Sequence, residues 1–147
     1  MAILCSCGRV DGVAADLGQI RQVLLNLLLN ALDAMPEGGE AAIEVRRLSA
    51  DDVPAPMDDV PWCEIRISDT GSGLSEAVLA RIFEPFVTTK ETGTGLGLSI
   101  CQRIIVAHGG QIEARNLNYS GAEFRFRLPC LPIAAARLPD ALLKSST

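Results

Sequence analysis

The hydrophobic positions of this chain repeat with two different periods, and each period predicts a different element. Between Leu17 and Met35 apolar residues recur every three to four residues, as in an α-helix, and Asp16 stands before them as an N-cap. Residues 62–69 alternate one by one, as in a strand between two different environments. The face of this strand opposite its cysteine and isoleucines is predicted to carry Trp62, Glu64, Arg66 and Ser68.

The other segments show the same two patterns in a regular order. From the first residue onward they predict a weak strand or extended segment at 3–15, the helix at 17–35, a strand at 41–48, a solvated connection at 49–61, the strand at 62–69, a short helix at 75–82, a helix at 96–107, strands at 111–115 and 122–128, and a tail. The strands are expected to pair as two hairpins, and Gly109 and Gly110 are expected to end the helix before them. This order predicts an α+β fold with helices layered on one face of a mixed sheet.

Composition and charge favour a folded domain and argue against a nucleic-acid binder. The chain has 147 residues, 48% of them hydrophobic and 21% charged, which is enough for one domain with a core. Its net charge of −5 is opposite in sign to the surfaces that bind nucleic-acid phosphates. A small polyanionic ligand is still compatible with this charge, because a few local cations and backbone N–H groups can hold it.

Membrane and disulfide signals are both weak. No apolar stretch approaches the roughly 20 residues that span a bilayer, and the first residues do not resemble a signal peptide. Five cysteines without a CxxC pair, together with a single histidine, argue against a disulfide framework and against a zinc site. We therefore expect reduced thiols, a cytoplasmic location and no direct membrane insertion of this segment.

Three polar side chains interrupt the most apolar predicted helix along one line. Asn26, Asn30 and Asp33 are spaced i, i+4 and i+7, so they share one face of that helix. An amide removed from water without a partner costs ~1–3 kcal/mol, so something polar should meet these side chains. The line alone is equally compatible with a polar network that fixes helix packing and with the wall of a binding site.

A carboxylate at the end of an apolar strand forms a second polar group. Asp69 ends the strand at 62–69 and is followed by Gly71 and Gly73. A carboxylate only accepts hydrogen bonds, so it suits an exocyclic amine such as that of adenine, and the glycines let the backbone approach a flat ligand. The same pattern is common at ordinary strand-to-turn junctions, so alone it is a weak signal.

A glycine-rich segment before the helix at 96–107 forms the third group. It reads Thr-Thr-Lys at 88–90 and Gly-Thr-Gly-Leu-Gly at 93–97. Free N–H groups and the positive end of a helix dipole suit phosphates, and Lys90 adds a charge. The spacing matches neither a Walker A loop nor the dinucleotide-binding fingerprint. A flexible loop with good helix-start chemistry is the alternative interpretation.

The three groups in this order resemble the catalytic, ATP-binding domain of sensor histidine kinases, within the larger GHKL group that includes gyrase B, Hsp90 and MutL. The resemblance covers about residues 10–129 and lies in NLLLNALDAM at 26–35 (N box), DTGSGL at 69–74 (G1 box), RIFEPFVTTK at 81–90 (F box), GTGLGLSI at 93–100 (G2 box) and GAEF at 121–124 (last glycine box). It implies the Bergerat fold, a two-layer α/β sandwich whose mixed, mostly antiparallel sheet of about five strands is covered on one face by about three helices.

The resemblance also implies ATP and Mg²⁺ as cofactors. Asn30 would ligate Mg²⁺, which takes few protein oxygens, while Asn26 would contact phosphate or a metal-bound water. Asp69 would accept from the adenine amine, and Phe83 and Phe86 would anchor the near end of a lid in apolar surface. The implied catalytic residues are Asn26, Asn30 and Lys90, and the implied metal ligand is Asn30. The implied cofactor-binding residues are Asn26, Asn30, Asp33, Asp69, Gly71, Gly73, Leu74, Phe83, Phe86, Thr89, Lys90, Gly93, Thr94, Gly95, Leu96, Gly97 and Leu98.

Departures from the group's patterns refine the expected chemistry. Hydrolysing members of the larger group carry a water-activating glutamate at the position of Asn26, and an amide cannot accept a proton. Slow hydrolysis and transfer of the γ-phosphoryl group to a protein nucleophile are therefore implied, as in the kinase branch. At position 123 related sequences often carry a small hydroxyl residue beside the base, and here Glu123 is expected beside the adenine pocket.

The resemblance implies partners outside this chain. In such kinases the phosphoacceptor histidine lies on a separate dimerisation domain, and His108, at a helix end, is expected to be a capping or packing residue instead. The implied partners are that histidine-bearing domain and a response regulator, and the parent protein could be a membrane-bound sensor. Residues 1–129 are expected to form the catalytic domain and residues 130–147 a tail or linker.

Three rival interpretations follow from the same motifs. A serine kinase of the anti-sigma-factor type would have a related fold, but the phenylalanine-rich F box favours the histidine-kinase branch. A module that binds ATP without transferring phosphate is disfavoured by the intact Asn30, Asp69 and lid glycines. An ATPase of the repair or chaperone type is disfavoured by Asn26 and by the small size.

Overall fold

The described residues of the computed structural model, which are 2–7, 13, 15–48, 61–87 and 97–130, form five strands and three helices. In chain order these are β1 (Ala2–Cys7), α1 (Leu17–Asp33), β2 (Glu40–Arg47), β3 (Trp62–Asp69), α2 (Glu76–Leu79), α3 (Gly97–Ala107), β4 (Gln111–Asn116) and β5 (Ala122–Pro129). Each corresponds to a predicted element. The bounds differ most for β1, which ends at Cys7 where the prediction extended to residue 15, and for α2, which spans four residues where eight were predicted. The connection predicted at 49–61 and the tail predicted at 130–147 lie outside the described residues, except for residues 61 and 130.

The five strands form one sheet in the order β1-β2-β3-β5-β4. β1 runs parallel to β2, and the other three neighbouring pairs are antiparallel. The sheet is therefore mixed and mostly antiparallel, and the two predicted hairpin pairings, β2 with β3 and β4 with β5, are confirmed. This order puts β3 in the middle of the sheet, so Asp69 at its end lies between strands on both sides.

One face of the sheet packs against α1 and α3 and forms the core. Every second residue of the strands contributes to one side of this core, and the apolar residues three to four positions apart in the helices contribute to the other. Its buried members include Val23, Leu27 and Ala31 of α1, Cys101 and Ile105 of α3, and Ile67, Phe124 and Phe126 of the sheet. Full burial stabilises each large apolar side chain by about 1.5–3 kcal/mol. The two-layer fold class predicted from the sequence is confirmed.

The opposite face of the sheet carries paired charges. Glu64 of β3 has no exposed side-chain surface and accepts hydrogen bonds from Arg46, Arg66 and Arg127. Burial alone would raise the pKa of Glu64, but hydrogen bonds from Arg127 and Arg66 outweigh it and lower that pKa to about 2. We call this surface the charged face; it consists of Arg46, Glu64, Arg66, Glu113, Arg115, Glu123, Arg125 and Arg127.

The two long helices have well-defined ends that join each other through His108. The side chain of Asp16 accepts a hydrogen bond from Gln19 N and caps α1 as predicted. Gly109, with φ of 77°, ends α3 in a Schellman motif with Gly110. His108 Nε2 accepts from Asp16 N at 3.1 Å, and its Nδ1 lies 2.7 Å from Ile104 O. The prediction that His108 is a capping and packing residue is confirmed.

The cysteines differ in their expected reactivity. Cys5 is exposed, whereas Cys63 is buried, and burial followed by the charge and hydrogen bond of the neighbouring Cys130 thiol raises the pKa of Cys63 to about 12. We predict that iodoacetamide at pH 8 labels Cys5 in the folded protein at least ~10-fold faster than Cys63. Peptide mass spectrometry after timed labelling measures this, and labelling in urea is the control. Equal labelling rates in the folded protein would contradict the prediction.

Candidate functional site

Asp69 is a buried carboxylate at the end of the central strand β3. Its side chain is 4% exposed, and Oδ1 accepts hydrogen bonds from Gly71 N at 2.9 Å and from Ala122 N at 3.3 Å. Among the described residues both hydrogen bonds to this carboxylate end on Oδ1. Because a buried carboxylate needs donors for its lone pairs, Oδ2 can accept from a ligand.

Asp69 and the loop that follows it, residues 70–74, approach two other backbone segments closely. A Cβ atom on Gly71 would collide with the backbone carbonyl of Ala34 at the end of α1, and one on Gly121 would collide with the carbonyl of Asp69. Gly121 also has a φ of 93°, which L side chains rarely adopt. Glycine is therefore required on both sides of the carboxylate for the backbones to come this close.

Asn116 and Ser120, from the β4–β5 hairpin, also hold this loop. Leu74 N donates to Asn116 Oδ1 at 2.9 Å, and Asn116 Nδ2 donates to Leu74 O at 2.6 Å. Ser120 Oγ donates to Gly71 O at 2.6 Å. Sequence reasoning missed both residues; the only local signal was an asparagine at the end of a strand before a turn.

The polar line of α1 lies at the border of the core and not inside it. Asn26 and Asn30 are half-buried and Asp33 is exposed, while the fully buried positions of α1 are others. Asn26 Nδ2 donates to Gly97 O, the first residue of α3, at 3.4 Å. Asn26 therefore contributes to the packing of α1 on α3, as the first interpretation of this line predicts. The second interpretation, the wall of a binding site, stays a prediction.

The glycine-rich segment is described only from its last glycine onward. Gly97 and Leu98 are half-buried at the start of α3, one residue later than the predicted helix start. The other predicted ligands of this segment, Thr89, Lys90, Gly93, Thr94, Gly95 and Leu96, lie outside the described residues. Their roles stay predictions.

The two phenylalanines of the F box have different environments. Phe83 packs on the core, edge-to-face with Phe124 at a centroid distance of 6.4 Å, which confirms that it anchors this segment in apolar surface. Phe86 is 76% exposed, so the same expectation for Phe86 is wrong. Its backbone is also left-handed, with φ of 69°, which is uncommon for a bulky residue other than glycine.

The expectation that Glu123 lies beside the adenine pocket is also wrong. Glu123 pairs across the sheet with Ser68 and Arg115, and its carboxylate binds Arg115 Nε at 3.0 Å on the charged face. Ala122, one residue earlier, contacts Asp69 through its N–H group. Successive residues of a strand point to opposite faces, so Glu123 lies on the far side of the sheet from α1.

The described site residues lie along the C-terminal half of α1. The loop at 70–74 contacts the end of this helix, and the N-terminus of α3 contacts its middle through Asn26. The site thus combines a carboxylate acceptor, close-approaching backbone, amide oxygens and a helix N-terminus, which are the groups that bind a base, a hard cation and phosphates. Among the described residues no three His, Cys, Asp or Glu side chains cluster as metal ligands, and no helix is long and apolar enough to cross a membrane.

A two-layer α/β fold with these groups around one helix is typical of a nucleotide-binding domain. The profile of the HATPase_c family, described as histidine kinase-, DNA gyrase B- and HSP90-like ATPases, matches residues 15–132. The chain therefore belongs to this family.

Similar proteins include a sensor protein, the catalytic domain of a histidine kinase and a full-length protein solved with AMPPNP. The sensor protein FixL of Bradyrhizobium diazoefficiens is 46% identical over 119 residues, which is 81% of this chain and 22% of FixL. The catalytic domain of histidine kinase ThkA is 35% identical with a TM-score of 0.71, covering 87% of this chain and 78% of that one. Full-length ShkA in complex with AMPPNP is 30% identical with a TM-score of 0.72, covering 89% of this chain and 26% of ShkA. The chain thus spans about a fifth of the length of FixL.

Proposed function

We propose that this chain is the ATP-binding catalytic domain of a two-component sensor histidine kinase. It transfers the ATP γ-phosphoryl group to a histidine on a separate dimerisation domain, which passes it to an aspartate of a response regulator. The observation that carries this proposal is the buried Asp69, with both of its described hydrogen bonds on one oxygen, beside glycine backbone and the polar line of α1. The family membership and the histidine kinases among the relatives support it.

The base end of the site fits adenine. Asp69 Oδ2 accepts from the exocyclic amine, since guanine presents a carbonyl oxygen at the corresponding position and an oxygen facing a carboxylate is repelled. Gly71 and Gly73 remove side chains that would separate the base from the loop backbone. The other oxygen of Asp69 is fixed by Gly71 N and Ala122 N, so the acceptor has one orientation before ATP arrives.

The phosphate end of the site fits a magnesium-bound triphosphate. Mg²⁺ neutralises charge on the phosphates when bound, and Asn30 is the protein oxygen ligand in this proposal, with Asn26 contacting phosphate and Asp33 near the sugar. The N-terminus of α3 at Gly97 and the segment containing Lys90 add positive charge. Asn26 cannot take a proton from water, so the chain favours transfer over hydrolysis.

The nucleophile has to come from outside this site. His108 Nε2 accepts from Asp16 N at the start of α1, its Nδ1 lies at hydrogen-bond distance from Ile104 O of α3, and His108 is the only histidine of the sequence. We therefore place the phosphoacceptor on another domain of the kinase. In this proposal residues 1–129 are the catalytic domain and residues 130–147 a tail or linker, and ATP chemistry of this kind places the chain in the cytoplasm.

Calorimetric titration of ATP, with Mg²⁺ or with EDTA, tests the phosphate end. We predict that the wild type binds Mg-ATP more tightly than metal-free ATP and that Asn30→Ala loses at least ~10-fold in this magnesium effect. Asn118→Ala, which changes an exposed asparagine of the β4–β5 turn, is the matched control. Absence of Mg-ATP binding in the wild type would overturn the function, whereas an unchanged magnesium effect in Asn30→Ala would overturn only the role of this residue.

The phosphorylated product distinguishes the kinase alternatives. Incubation of the complete parent kinase with labelled Mg-ATP should give an acid-labile phosphate, because phosphohistidine hydrolyses in acid. An acid-stable phosphate on serine would instead favour the kinase of the anti-sigma-factor type.

A further inference from the structure

The loop at 70–74 is hydrogen-bonded to the β4–β5 hairpin, while the side chain of Leu74 packs against the core. Leu74 and Asn116 exchange two hydrogen bonds, at 2.9 and 2.6 Å, across 42 positions of sequence. A side-chain amide offers the same donor and acceptor as a peptide group. The Asn116 side chain therefore bonds the backbone of Leu74 as a neighbouring strand residue would. Leu74, the last residue of the loop, is thereby fixed to the sheet.

The amide of Asn116 also accounts for Gly73. A Cβ atom on Gly73 would lie 3.0 Å from Asn116 Oδ1, which is tighter than ordinary contact, and Gly73 has a φ of 75°. The glycine conformation and the asparagine amide therefore fit each other. The backbone next to the proposed base position is set by this pair.

Ser120 and Gly121 fix the beginning of the same loop. Ser120 Oγ donates to Gly71 O at 2.6 Å and to Thr70 O at 3.2 Å. Gly121 lies against the Asp69 carbonyl, and the next residue, Ala122, donates its N–H to Asp69 Oδ1. One hairpin thus contacts the carboxylate and both ends of the loop that follows it.

These contacts add little to the stability of the fold. The side chains of Asn116 and Ser120 are exposed, and neither belongs to the hydrophobic core. Water can replace exposed hydrogen bonds when a partner is removed, so their net contribution to folding is small. Together with the two hydrogen bonds between Thr70 and Glu40 of β2, they determine the position of the loop relative to Asp69.

We propose that Asn116 and Ser120 are positioning residues for the base pocket: the β4–β5 hairpin holds the 70–74 loop where its backbone meets adenine while Asp69 accepts from the amine. This inference rests on the proposed function, because it assigns a role at the same site. It predicts that the hairpin determines the preference for adenine and has no part in magnesium-dependent binding of phosphates.

Affinities for Mg-ATP, Mg-GTP and ATP with EDTA, measured by calorimetry on the complete chain, test this proposal. For Asn116→Ala we expect about tenfold weaker ATP binding, and for Ser120→Ala about threefold, with the preference for ATP over GTP reduced by the same factors. The ratio of ATP affinities with and without Mg²⁺ should stay at the wild-type value in both variants. Asn118→Ala, in the same turn, should match the wild type, and circular dichroism should show unchanged folding.

Four results would overturn the proposal. Affinities of both variants within twofold of the wild type would show that the hairpin does not position the pocket. Equal losses for ATP and GTP, or a reduced magnesium effect, would show general loosening instead. If Asn116→Ala does not fold, Ser120→Ala decides by the same criteria. If the wild type binds Mg-ATP and both variants bind it equally well, only the role of the hairpin is overturned and the proposed function stands. If the wild type does not bind ATP, the proposed function and the role of the hairpin are both overturned.

Discussion

Asp69→Asn is expected to weaken ATP binding about 100-fold while the fold stays intact. The two backbone donors, Gly71 N and Ala122 N, already point at one oxygen of this side chain. In the variant the amide oxygen satisfies these donors, and the NH₂ group then takes the position of Oδ2. A donor would face the donor amine of adenine, and losing a hydrogen bond to a charged group costs about 3 kcal/mol.

Glu123→Gln is the matched control for this prediction. It makes the same change from carboxylate to amide at a buried position next to Ala122, but on the charged face of the sheet. Calorimetry with Mg-ATP should therefore give wild-type affinity for Glu123→Gln and a strong loss for Asp69→Asn. If Asp69→Asn binds Mg-ATP with wild-type affinity, this carboxylate is not the adenine acceptor. If both variants lose affinity for Mg-ATP, Glu123 also contributes to the base pocket.

The parts of the site that sequence could predict are those with a local periodic signal. The line of Asn26, Asn30 and Asp33 follows from the helical repeat alone, and Asp69 follows from its place at the end of an alternating strand. Each of these signals lies within one element. The order of the elements was then sufficient to predict two layers with helices on one face of a mixed sheet.

The parts that sequence could not predict depend on register between distant strands. Glu123 was expected beside the base. Successive strand residues point to opposite faces, so an error of one position in aligning the motif assigns the side chain to the wrong face of the sheet. The pairing of Asn116 with Leu74 depends on how β4, β5 and β3 align, which no local pattern encodes. Phe86 was misjudged for a different reason: its hydrophobicity predicts burial, but single apolar side chains are often exposed, and this one is 76% exposed.

The burial of Glu64 is a further case of this kind, and it leads to the largest stability effect that we predict. Alternation put Glu64 on the face of β3 opposite the apolar core, where an exposed carboxylate would be ordinary. In the structure its side chain is fully buried beneath arginines from three strands, Arg46, Arg66 and Arg127. A buried carboxylate with this many charge-assisted hydrogen bonds is strongly coupled to the pairing of β2, β3 and β5.

Glu64→Gln is therefore expected to lower the free energy of unfolding at pH 7 by about 3 kcal/mol, because removing one partner leaves the arginines without their shared acceptor. The pKa of Glu64 falls from an ordinary value of 4.5 to about 2 on folding, so its stabilising effect is complete above pH 4.5 and is lost as the pH falls toward 2. The wild type should thus lose stability over this range, and its advantage over Glu64→Gln should shrink with it.

Urea unfolding at pH 7, 5, 4 and 3 measures both the size and the pH dependence of this effect. Glu113→Gln is the control: Glu113 pairs with Arg125 on the same charged face, but its side chain is 48% exposed, so screening by solvent limits its effect to about 0–1 kcal/mol. A loss in Glu64→Gln no larger than in this control would show that the three arginines are solvated without the carboxylate. A large loss that does not change between pH 5 and 3 would instead point to packing of the glutamate, and not its charge, as the source of its stabilising effect.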